Sequence, residues 1–89
     1  MSEKVHAIIK GLRRRLEALY GPRLVRMVLY GSQARGDAEP GSDIDVLVVL
    51  QGPVSPGEEI ARTSDIIASL SLTHGVVLSR AFVSADRFE

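Results

Sequence analysis

The 89-residue sequence predicts an α+β fold of three strands and two main helices in a single domain. Three observations lead there. Leu24 to Tyr30 and Ile44 to Leu50 are short apolar runs rich in Val, Ile and Leu, with Gly and Pro nearby, and such runs read as buried strands. Val76 to Val83 reads as a third strand. Two longer segments repeat apolar residues every three or four positions, the period of a helix with one buried stripe.

In chain order, Ser2 to Tyr20 reads as the first helix. Val5, Ile8, Ile9, Leu12, Leu16 and Leu19 form its stripe, Ser2 is the N-cap candidate, and Gly21-Pro22 stops it. Gly11 weakens it by about 1 kcal/mol relative to alanine. Arg13, Arg14 and Arg15 fan around the helix, either as a solvated face or as a docking surface for an acidic partner or RNA. The connection Gly36 to Ser42 contains Pro40 and Gly41 and cannot continue a regular helix. Asp37 and Glu39 read as solvated turn residues within it. After a turn at Gln51 to Ser55, Ser55-Pro56-Gly57-Glu58 fits a capping box with proline at the first helical position.

The second helix runs to about Leu72. Its apolar face is expected from Ile60, Ile67 and Leu70 with Ala61, Ala68 or Ile66, leaving Asp65 in solvent. Gly75 is the expected C-cap. On the third strand, Val77, Ser79, Ala81 and Val83 share one face, against Val76, Leu78, Arg80 and Phe82. Ser84 to Glu89 begins another element. His6 and His74 stand far apart in sequence and read as surface or capping residues.

Composition narrows the function classes. With 45% hydrophobic and 25% charged residues, the chain is an ordinary soluble domain. Eleven basic and eleven acidic residues cancel, so there is no electrostatic case for general nucleic-acid binding. The absence of cysteine excludes disulfides and thiolate zinc sites. No apolar segment has the length of a signal peptide or a membrane span, so the expected location is the cytoplasm. A domain this small buries only about 60% of its unfolded surface, and a partner would help stabilise it.

The chemistry concentrates between Gly31 and Asp45, which reads Gly-Ser-Gln-Ala-Arg-Gly-Asp-Ala-Glu-Pro-Gly-Ser-Asp-Ile-Asp. Strand residues two apart point the same way, so Asp43 and Asp45 share a face while Ile44 turns into the core. Adjacent carboxylates repel unless a cation lies between them, and hard oxygen ligands at this spacing suit Mg²⁺. Gly31 lets the backbone turn sharply against a ligand. Ser32 offers a hydroxyl and an N–H, and amides from Gln33 to Arg35 would point at an anion if a short helix begins there. Arg35 adds a positive fork suited to phosphate. Each half alone is usually a turn or a cap. Together they are the equipment for nucleotidyl or phosphoryl transfer.

Gly31-Ser32, ten residues, then Asp43-Ile44-Asp45 resembles the signature of the DNA polymerase β-like nucleotidyltransferase superfamily. The fuller pattern, Gly-Ser-x-Ala-Arg-Gly with Ser-Asp-Ile-Asp-Val-Leu-Val-Val, looks like the minimal nucleotidyltransferases, which are about this size. The resemblance implies a small mixed sheet packed against two main helices. It implies that Asp43 and Asp45 are catalytic residues binding Mg²⁺, with two ions possible. It implies that Gly31 and Ser32 hold the triphosphate of ATP or another nucleoside triphosphate. An acceptor hydroxyl would then take the nucleoside monophosphate, AMP where ATP is the donor, and pyrophosphate would leave.

One departure stands out. Many superfamily members carry a third carboxylate on the next core strand, and the segment His74 to Val83 contains no Asp or Glu; Val77 is where it would be sought. Losing such a group should fall mainly on turnover. Minimal nucleotidyltransferases are commonly paired with a HEPN-domain toxin, to which the antitoxin can transfer AMP. The resemblance therefore implies a protein-modifying nucleotidyltransferase with a HEPN partner. The alternative is a non-catalytic antitoxin or nucleotide-binding module that neutralises the partner by complex formation. Self-association stays open, and a membrane role is not expected.

Overall fold

The apolar stripe of the first helix sets how the remaining elements pack. The computed structural model describes residues 3–30 and 43–88. The chain runs through α1 (Glu3–Tyr20), a 3-10 turn (Gly21–Arg23), β1 (Leu24–Tyr30), β2 (Ile44–Leu50), α2 (Pro56–His74), β3 (Leu78–Ser84) and α3 (Ala85–Phe88). Helix α1 buries Val5, Ile8, Leu12, Leu16 and Tyr20. Leu19, expected in that stripe, is 40% exposed. A four-residue step from Leu16 lands on Tyr20, and Leu19 is turned away by the helical period. Ser2, the N-cap candidate, lies outside the described residues.

The sheet order is β1-β2-β3, with β1 antiparallel and β3 parallel to β2. This is the small mixed sheet on two helices that was expected. The parallel pair needs a crossover, and α2 provides it. Ile44, Val46, Val48 and Leu50 of β2 are buried with the α1 stripe and with Ile67 and Leu70 of α2. Strand β1 is less buried than its apolar run suggests, because it lies at the sheet edge. Met27 and Leu29 pack on the core, while Val25 and Arg26 are exposed. The register shifts between Leu24 and Arg26, leaving Val25 as the extra residue of a bulge.

Two expectations for α2 need correction. Ser55 stands at the N-cap, but its side chain makes no capping hydrogen bond, so the capping box does not form. The first helical bond runs from the Glu59 N–H to the Ser55 carbonyl at 2.9 Å, and Pro56 pre-sets the opening turn. Ile60 is 44% exposed rather than core, and Glu59 and Thr63 take the buried stripe. Both polar groups are satisfied there. Tyr20 Oη donates to Glu59 Oε1 at 2.8 Å, and Arg80 Nε donates to Thr63 Oγ1 at 3.1 Å. Apolar periodicity cannot register a polar residue whose partner comes from another element.

Gly75 caps α2 with φ 63°, its N–H reaching the Ser71 carbonyl. Val76 donates to the same carbonyl at 3.1 Å. Val76 is thereby part of the helix stop, and β3 begins at Leu78 rather than at Val76. Helix α3 packs against β2 and β3, with Arg26 over the Phe88 ring at 5.6 Å.

Candidate active site

The start of β2 is where core packing and site geometry meet. Ile44 is 1% exposed and Val46 is 1% exposed, so the strand is pinned to the helix layer by alternate residues. Strand alternation then forces Asp45 to the other face, where it is half-buried. Asp43, just before the strand, is exposed. Gly31, Ser32 and Arg35 lie outside the described residues, as do Asp37 and Glu39.

Sheet register supplies the neighbours of Asp45. Tyr30 on β1 is paired with Asp45, and Asp45 is paired with Ser79 on β3. The Ile44 N–H donates to the Val77 carbonyl at 2.9 Å, which sets Val77 beside the approach to β2. Val77 is 57% exposed and Tyr30 42% exposed. Neither Tyr30 nor Ser79 was singled out as a site residue in the sequence. Alternation along a strand can be read from one segment, but which residue of another strand lies opposite cannot.

The donor set fits a hard divalent cation. Two carboxylates occupy one end of β2, and among the described residues neither forms an ion pair with a basic side chain. Oxygen ligands of this kind suit Mg²⁺ better than soft metals. Among the described residues no group of three or more His, Cys, Asp or Glu is assembled. A hollow of about 540 Å³ lined by Pro53, Val54, Pro56, Phe82, Asp86 and Arg87 lies past the other end of β2 and does not include Asp43 or Asp45.

A nucleotidyltransferase domain family matches residues 9–78, from within α1 through the Gly-Ser segment, both aspartates and α2 to the start of β3. The chain belongs to that nucleotidyltransferase family. Two relatives from Methanocaldococcus jannaschii agree with it. The one named "Putative protein adenylyltransferase MJ0604" is 35% identical over 80 residues, covering 90% of this chain and 74% of the relative. The one named "Putative protein adenylyltransferase MJ0141" is 31% identical over 72 residues, covering 81% of this chain and 72% of the relative. No solved structure matches the chain. Within this nucleotidyltransferase, no helix among the described residues is long and apolar enough to cross a membrane.

Proposed function

We infer that the protein is a Mg²⁺-dependent nucleotidyltransferase that moves AMP from ATP to a hydroxyl group on a partner protein in the cytoplasm. The observation that carries this reading is that Asp43 and Asp45 flank the buried Ile44 at the start of β2, Asp45 on the face opposite the core and Asp43 exposed just before the strand. Family membership and the names of the two relatives support the adenylyl group and the protein acceptor. A HEPN-domain protein is the acceptor that the sequence resemblance implies.

In this reading Asp43 and Asp45 anchor the divalent ion. The ion, when bound, neutralises phosphate charge and favours attack at the α-phosphorus. Gly31 and Ser32 hold the β- and γ-phosphates through backbone N–H groups and the serine hydroxyl, and Arg35 adds positive charge beside them. The acceptor hydroxyl oxygen forms the new bond to the α-phosphorus. The bond from that phosphorus to the bridging oxygen breaks, pyrophosphate leaves with the electron pair, and the hydroxyl proton passes to solvent. Ile44 contributes by fixing the strand that presents both carboxylates.

One observation favours a second reading, a non-catalytic antitoxin that acts by forming a complex. Val77 stands beside the approach to β2 with its side chain 57% exposed, and no third acidic residue joins the aspartates among those described. Incubation with α-labelled ATP, Mg²⁺ and a candidate HEPN-domain partner separates the two. Label on the partner that disappears with Asp43→Asn and Asp45→Asn supports transfer. Neutralisation of the partner that survives both substitutions, with no label, supports the binder.

A further inference from the structure

The residues crossing the sheet at Asp45 differ in kind from those in the next row. The row at Asp45 is Tyr30, Asp45, Ser79. Two residues further along the same face, the row is Val28, Leu47, Ala81. Along β3, this face reads Ser79, Ala81, Val83, so its one polar residue is the one beside Asp45. Ser79 is half-buried, and its side chain has no hydrogen-bond partner among the described residues. A serine hydroxyl on an otherwise apolar strand face, next to a carboxylate in the register and without a partner among the described residues, is free to donate to that carboxylate.

We propose that Ser79 is a positioning residue for Asp45. Its hydroxyl donates to the outer oxygen of the Asp45 carboxylate when a divalent cation takes the inner one. Neighbouring strands lie about 4.8 Å apart, and the short Ser and Asp side chains close that gap to hydrogen-bond range through a serine rotamer change. Tyr30, on the other side, is 42% exposed. Carboxylates that ligate metals are themselves held by outer hydrogen bonds, and loss of one costs about 10- to 100-fold in metal affinity. The inference rests on Asp45 being a metal ligand.

The test is Mn²⁺ binding, followed by electron paramagnetic resonance with a non-hydrolysable ATP analogue present. Wild type, Ser79→Ala, Ser79→Thr and Asp45→Asn are compared after their melting curves show each to be folded. Ser79→Ala should bind Mn²⁺ about tenfold more weakly, while Ser79→Thr, which keeps the hydroxyl, should match the wild type. If Ser79→Ala binds like the wild type and Asp45→Asn does not, the role of Ser79 is overturned and the aspartate site stands. If Asp45→Asn also binds like the wild type, the assignment of Asp45 falls, and the role of Ser79 falls with it.

Discussion

Tyr20 on α1 donates its phenolic proton to Glu59 on α2 across 2.8 Å, and both residues are nearly closed off from water. This contact joins the two helices that cover the sheet. Burial pushes the Tyr20 pKa up to about 12, and the hydrogen bond and negative charge of Glu59 push the same way. Below pH 10 the folded and unfolded chains both keep the proton. Above it the unfolded tyrosine ionises while the folded one holds on, so this contribution to stability falls as pH rises from 10 towards about 12. Tyr20→Phe should remove that alkaline dependence. At neutral pH it should cost about 1–3 kcal/mol, because the buried Glu59 loses the phenolic donor and keeps only its ion pair with Arg62 at 3.5 Å. Urea unfolding at neutral and alkaline pH checks both.

Two glycines should respond to alanine in opposite directions. Gly11 lies within α1, and a Cβ there would meet Leu70 Cδ2 at 3.6 Å, an ordinary contact. Gly11→Ala should stabilise by up to about 1 kcal/mol through helix propensity. Gly75 has φ 63° with open space around its Cβ position, so Gly75→Ala meets no clash and pays only backbone strain. A loss of about 1 kcal/mol is expected. Thermal melts of the two variants should move apart.

Arg80 ties β3 to α2. Its Nε reaches Thr63 Oγ1 at 3.1 Å and its Nη2 reaches the Ile60 carbonyl at 2.6 Å. Arg80→Met keeps the aliphatic stem and removes both bonds. The expected loss is about 1–3 kcal/mol, read by denaturant unfolding with an unchanged slope.

What could be read in the sequence follows from local periodicity. The sides of Ile44 and Asp45 were legible because the apolar run from Ile44 fixes a strand, and a strand fixes sides. The Gly75 stop was legible because a left-handed cap needs glycine. Glu59 and Thr63 in the core were not, since their hydrogen-bond partners Tyr20 and Arg80 come from other elements. The half-open β1 was not, since a strand's place at a sheet edge is a property of the whole sheet. For the same reason the neighbours of Asp45, Tyr30 and Ser79, came only with the register.

The account turns on two carboxylates acting together on one cation and one nucleotide. Calorimetric titration of ATP into the wild type and the Asp43→Asn, Asp45→Asn double variant, with and without Mg²⁺, tests this most directly. The account predicts that Mg²⁺ strengthens ATP binding to the wild type and that this strengthening vanishes in the double variant, whose melting curve stays intact. ATP binding that ignores Mg²⁺ in the wild type, or a Mg²⁺ effect that survives the double substitution, would contradict it.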